Sequence, residues 1–431
     1  MRRLTPLIAA LALIAPSCPR DYGPGDYDPD AKRTFALGPN VEDLVYVAGG
    51  SAKGDSDYVV AMPGGETIAR IDGPDRRGWV FASPTLAYYP MLRHSADSSN
   101  TIHRIDLRTG SRAQIVADAR PGLPFFDEAG AAFTALALTA DRSGLVVARV
   151  INGGPQVWLG RYGARSGTLE DERSWPIDAI AGNVRLAVAG DLFVLGTSAR
   201  LENGSVIEEM RVIDSSLRER AALSGSDLPP GERCSEALQA LGIGRWATVC
   251  AAPEGRYASV LILDGSYRVA SRVPATLDAR EHVVAWAAQG ESVGILTDRA
   301  RHIRISAGGG PTSIWLGEPD GRTAVRIARE VAPGTVVAQF VANPEGGFVG
   351  ETVLLELATG RVAARAASPA IALDFIGTGA RLYALLPGTE TLEPRLQRLD
   401  RESLAPVGFV GTIPQRDDVR VSGLIAIVPA R

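Results

Sequence analysis

Four histidines, three cysteines and one Gly-x-Ser-x-Gly run are the features of this 431-residue chain whose residue types and spacing bear on chemistry. The run Gly290-Glu291-Ser292-Val293-Gly294 has the spacing of a serine-hydrolase nucleophile elbow, a strained strand-to-helix turn that exposes the hydroxyl. The residues that follow, Ile295-Leu296-Thr297, continue a strand pattern instead, so Ser292 is expected in a hairpin turn. His94, His103, His282 and His302 show no ligand spacing on a helix, and no His-Glu-x-x-His run or Cys-x-x-Cys pair is present to hold zinc. His94 and His103 come nearest to a metal or acid–base pair, across neighbouring strands, but an isolated strand histidine is ordinarily partly exposed filler. Gly49-Gly50-Ser51-Ala52-Lys53-Gly54 lacks the length and the Lys-Ser/Thr ending of a phosphate loop. No catalytic residue and no metal ligand is assigned from these patterns.

The cysteines say more about compartment than about catalysis. Arg2 and Arg3, the short apolar run Leu4 to Ile14 and the small residues before Cys18 read as an export signal, too short to span a bilayer. Leu13-Ile14-Ala15-Pro16-Ser17-Cys18 resembles the lipobox of bacterial lipoproteins, which implies cleavage before Cys18 and acylation of its thiol. A plain secretory signal cut nearby is the alternative. Residues 1–17 are then the signal peptide. Residues 18–40, dense in Pro, Gly and Asp, are a tether, and the alternating Asp26, Asp28 and Asp30 lack the glycine and distal glutamate of a calcium loop. With Cys18 modified, Cys234 and Cys250 remain an even pair. Either they form a disulfide, worth about 3 kcal/mol on the chain-entropy model, or Cys250 is a small buried hydrophobe in an apolar strand.

Composition excludes other classes. The chain is 45% hydrophobic and 22% charged with a formal net charge of −4 and no basic tract, which describes a folded protein with no nucleic-acid partner. Gly 47 and Pro 28 suit many short strands joined by tight turns.

From residue 41 to residue 431 one design repeats. Ile102-His103-Arg104-Ile105-Asp106-Leu107-Arg108-Thr109-Gly110 and Val353-Leu354-Leu355-Glu356-Leu357-Ala358-Thr359-Gly360 each end an alternating strand in an acid four residues before a turn glycine. Weaker copies place anchors at 72, 163, 214, 264, 306 and 400, a mean step of about 47 residues, close to WD40 and kelch repeats. Two further apolar strands precede each anchor, for example Val184 to Val188 and Leu192 to Gly196. The prediction is a single all-β propeller of four-stranded antiparallel blades, its innermost strands the most apolar. Eight blades are favoured and seven are the alternative, because the step from Asp72 to Asp106 is short. The first unit lacks a strand and Val419 to Val428 is left over, so the C-terminal strand should close the ring.

These turns resemble the YVTN-type propeller repeats of bacterial extracytoplasmic proteins, a group similar to the propeller chain of quinoprotein amine dehydrogenases. In such repeats Asp72, Asp106, Asp214, Asp264, Glu356 and Asp400 would hold turns rather than form a site. The six tryptophans are read chiefly as packing between blades. The expected function is a periplasmic or surface binding or scaffolding module, lipid-anchored at the cell envelope, monomeric, and more a binder than an enzyme. Its partner would be a protein or small molecule, and it would meet the membrane only through its lipid. The alternative is a lactonase-like hydrolase with its site in the central channel. No cofactor is called for, save the calcium that this alternative requires. An electron-transfer partner of a quinoprotein is a third reading.

Overall fold

Short apolar strands separated by two to nine residues pair with their chain neighbours, so the sequence builds sheets locally before it builds a ring. The computed structural model describes residues 39–429, apart from 52–53, 73–79, 84–85, 92–100, 107–111, 118–133, 152–155, 165, 177–180, 201–205, 229–230, 236, 253–254, 307, 318–322, 343–348, 369, 379, 389–392 and 414–419. The signal peptide, Cys18 and nearly all of the tether therefore lie outside the described residues, as does His94.

The described strands form eight antiparallel sheets, the blades of one propeller. In chain order their strands occupy residues 43–72 with 420–429 (blade 1), 80–117 (blade 2), 134–176 (blade 3), 181–224 (blade 4), 233–276 (blade 5), 283–315 (blade 6), 323–368 (blade 7) and 374–412 (blade 8). The count is eight, and the ring closes as its two ends suggest. Asp43–Ser51 pairs on one edge with Gly54–Met62 and on the other with the C-terminal Arg420–Pro429, with Leu44 opposite Val428. In blades 2 to 8 the first strand in chain order is innermost, and in blade 1 Arg420–Pro429 takes that place; around the axis Thr134–Leu138 neighbours Ala181–Ala189, while Asp374–Gly377 neighbours both Thr323–Ala332 and Arg420–Pro429.

The period-two alternation of strands now has a clear use: successive residues face successive blades. Leu44 and Tyr46 pack toward blade 2 with Ala87 and Ile105, whereas Val45 and Val47 pack toward blade 8 with Tyr383 and Leu385. Eight such hydrophobic layers, one for each seam, make up the core of the described residues.

One expectation is qualified and one needs correction. The innermost strands, although apolar, are not always the most buried. In blade 6 every residue of the second strand, Ser292–Thr297, is buried, but only Ala287 is buried in the innermost Val283–Gln289. The middle strands have a strand on each edge and a blade on each face, while the innermost ones leave an edge open to the channel. The first anchor was also one strand out of step. Asp106, Asp214 and Glu356 end third strands, but Asp72 ends the outermost strand of blade 1, whose third strand ends at Met62. Counted from residue 62, the short step to Asp106 disappears, and with it the case for seven blades.

Candidate functional site

Among the anchor acids, Asp214, Asp264 and Asp400 hold turns. Asp214 accepts hydrogen bonds through Oδ1 from the Ser216 N–H (2.9 Å), the Ser216 hydroxyl (2.7 Å) and the Arg218 N–H (3.0 Å). Asp264 does the same for Ser266 and Arg268, and Asp400 for Glu402 and Ser403. The Ser403 hydroxyl and then its N–H hold the Asp400 carboxyl below the usual carboxylate range.

Ser292 does not sit on an elbow. It opens the strand Ser292–Thr297 directly after the Gly290 turn, and its Oγ meets the Arg304 guanidinium (3.0 Å) and the Ser306 hydroxyl (3.4 Å). His302 is buried and joins two blades, its Nε2 donating to the Leu357 carbonyl at 2.5 Å. His103 lies mid-strand opposite Tyr89, and the His282 N–H donates to Asp298. Trp158 donates from Nε1 to Glu172 (2.9 Å), and Trp315 lies under Arg301. Trp158 packs in the layer between blades 2 and 3. Cys234 and Cys250 stand opposite one another in blade 5 and are joined as a disulfide, S–S 1.98 Å, within the layer facing blade 4.

Among the described residues no three His, Cys, Asp or Glu side chains come together as a metal-holding group. Asp374, Asp43 and Glu208 instead tie neighbouring blades together, while Glu281 and Glu232 pair locally. Asp374 spans three blades, accepting from Arg329 Nε (2.6 Å) of blade 7, its neighbour's Phe375 N–H (2.9 Å) and the Leu424 N–H (2.9 Å) of blade 1. Asp43 takes the Tyr383 hydroxyl (2.6 Å) and pairs with Arg381 across the closing seam. Glu281 pairs with Arg301, and Glu232 takes the Ser259 hydroxyl and Arg272. Glu208 accepts the Cys234 N–H (2.9 Å) beside Arg185 and Arg233, and burial pushes its carboxyl up against the pull of Arg185.

The feature that does suit a ligand is a recess of about 420 Å³ on the innermost strands of blades 2, 3 and 4. Its walls come from Val80, residues 136–140 and residues 186–188, nearly all aliphatic, with Val188 42% exposed although it lies in a strand of the ring's inner wall. Leu136 and Leu138 pack toward blade 2 while Ala137 packs toward blade 4, so the strand Thr134–Leu138 feeds both neighbouring layers. Arg142 stands at the rim, on the hairpin between the first two strands of blade 3.

That hairpin is rigid for identifiable reasons. Asp141 accepts from the Thr139 hydroxyl (2.6 Å), the Ser143 hydroxyl (2.7 Å) and the Ser143 N–H (3.0 Å), while the Gly144 N–H donates to Thr139 Oγ1 (2.9 Å). The Thr139 and Ser143 hydroxyls hold the Asp141 carboxyl down at about 2, so it stays ionised at any physiological pH. Its surface is about as polar as apolar, since backbone groups and Thr139 lie among the aliphatic side chains. Sequence reasoning missed it because its walls come from stretches separated by some fifty residues each, and none of its residues is unusual alone.

No protein-family model and no curated protein matches this sequence. Among solved structures it is similar to the dihydro-heme d1 dehydrogenase NirN (16% identity over 95% of this chain and 83% of that one, TM-score 0.49). It is also similar to AztD from Citrobacter koseri (10% identity, 90% and 97% coverage, TM-score 0.47). A prolyl endopeptidase aligns at 13% identity over 88% of this chain, which spans half the length of that enzyme (TM-score 0.45).

Proposed function

We propose that this chain is an exported β-propeller, anchored by lipid at Cys18 and held off the membrane by residues 18–40, that serves as a binding or scaffolding module at the cell envelope. The observation that carries this reading is the Cys234–Cys250 disulfide, with both sulfurs buried in the seam between blades 4 and 5. Such a bond belongs to an oxidising compartment, and it leaves Cys18 as the remaining cysteine, at the end of an apolar run with lipoprotein-like spacing. An open recess on the inner strands of blades 2, 3 and 4 supports a binding role.

The test is metabolic labelling of the full-length chain with an alkynyl fatty acid in a bacterial host. Incorporation into the wild type, together with membrane association that Cys18→Ser abolishes, is the expected result. Unlabelled, freely soluble wild type would remove the anchor. Stoichiometric calcium with calcium-dependent opening of a lactone would replace the binding module by a hydrolase.

A further inference from the structure

The innermost strand of blade 7, Thr323–Ala332, carries two exposed arginines, Arg326 and Arg329. Val325 pairs with Phe340 and Ile327 with Gln339, so Arg326 is the extra residue of a β-bulge. The bulge changes which neighbour the strand faces. Val325 packs in the layer toward blade 6 and Ile327 in the layer toward blade 8, although residues two apart in a regular strand face the same way. Arg326 lies between these packed positions, midway along a strand whose free edge borders the channel, and its guanidinium has no partner among the described residues. Arg329 is held on one side only. Its Nε donates to Asp374 Oδ1 at 2.6 Å, yet its side chain remains 58% exposed. Asp374 is buried and is itself fixed by the Phe375 and Leu424 N–H groups, so it orients the Arg329 guanidinium from behind and leaves the two Nη groups without a partner among the described residues. The other charges of the innermost strands whose side chains are described are already answered: Arg185 and Arg233 meet Glu208, and Glu330 accepts the Gly334 N–H.

We infer that this stretch of the channel wall binds a phosphate group, free or as a monoester, between the Arg326 guanidinium and the Nη groups of Arg329. A guanidinium gives an oxyanion two parallel, charge-assisted hydrogen bonds. A carboxylate has two oxygens and is filled by one such fork. A phosphate has three strong acceptor oxygens and has room for a second guanidinium. The two arginines stand about 10 Å apart along the strand, so their long side chains approach one anion from two directions. The unanswered charge of Arg326 draws anions into the channel, where apolar walls focus its field.

This proposal rests on the binding-module reading but not on the anchor, so the test uses the full-length Cys18→Ser protein in low-salt buffer. Titration calorimetry with inorganic phosphate should show one saturable site, with acetate binding about tenfold more weakly. Arg326→Gln, at an exposed position without a partner, should leave the melting temperature unchanged and weaken phosphate about tenfold. Arg218→Gln removes the same charge from an exposed turn of blade 4 and should leave phosphate binding as it was. Glycerol 2-phosphate binding as well as inorganic phosphate would assign the site to esters, and its exclusion would assign the site to free phosphate. Absence of saturable phosphate binding, undiminished binding by Arg326→Gln, equal weakening by Arg218→Gln, or acetate binding as tightly as phosphate would each overturn the assignment. None of these results bears on acylation of Cys18, and failure of acylation leaves them standing.

Discussion

Blades 5 and 7 solve the same problem, fixing an innermost strand at the channel, by different means. In blade 7 the strand Thr323–Ala332 runs for ten residues and pairs with Thr335–Ala342 along nearly its whole length. In blade 5 the corresponding chain makes only two short bridges, Arg233–Cys234 and Gln239–Ala240, both to the second strand Trp246–Ala251. What blade 5 lacks in ladder it recovers from outside the sheet. The disulfide ties Cys234 to Cys250, Glu208 of blade 4 accepts the Cys234 N–H, and the Thr248 hydroxyl donates to the Ser235 carbonyl at 2.7 Å. A propeller strand can thus be held by its sheet or by its neighbours, and the second way suits a segment too irregular to pair.

This contrast is broken most strongly in blade 7, where stability resides in packing. Phe340 is 2% exposed in the layer between blades 6 and 7. Phe340→Ala should cost about 3–5 kcal/mol, the range for a large side chain removed from a close-packed core. Urea unfolding would show this as a lower midpoint at unchanged slope. A cost under 1 kcal/mol would mean that the seam collapses around the gap.

In blade 5 the effect should be covalent and local. Replacing both Cys234 and Cys250 by Ala should cost about 3 kcal/mol, the chain-entropy value for a closed loop of this length. Amide exchange should accelerate at residues 233–240 and stay unchanged at 323–332, since the rest of the ring retains its own ladders. Faster exchange in both segments would show that the blades unfold as one unit and that the disulfide supports the whole ring.

How much of this was written in the sequence follows from the range of each interaction. The repeat, the four-stranded blades, the closing strand and the turn-holding role of Asp214, Asp264 and Asp400 depend on residues a few positions apart, and they were legible. The offset at Asp72 arose because an acid ends an apolar strand in the outermost position of blade 1 as readily as in the third. That the apolar innermost strand Val283–Gln289 is less buried than its neighbour was not legible, because a linear pattern does not show which edge of a sheet meets the channel. The recess, and the bonds of Asp374 to Arg329 and Leu424, join residues brought together only when the ring closes.

The smallest expected effect sharpens the comparison at the same seam, between blades 6 and 7. His302 of blade 6 is 2% exposed and reaches Leu357 of blade 7, and Gly294 and Gly360 leave the space its ring occupies. Burial lowers its affinity for a proton below the ordinary 6.5, the bond to the Leu357 carbonyl opposes this, and Arg304 reinforces it. The folded state then binds fewer protons than the unfolded chain once the pH drops below 6.5. Stability is fully present above that value and falls as the pH is lowered toward the folded pKa, with a slope no steeper than about 1.4 kcal/mol per unit for one proton. Buried Glu208 and Glu232 work in the opposite sense, because burial raises their pKa values and protonation relieves it. The quantity to measure is therefore the difference between wild type and His302→Gln from pH 5 to 7.5, in which the glutamates cancel. The wild type should lose stability relative to His302→Gln as the pH falls through this range. Parallel curves would place the proton elsewhere and reduce the seam between blades 6 and 7 to packing alone.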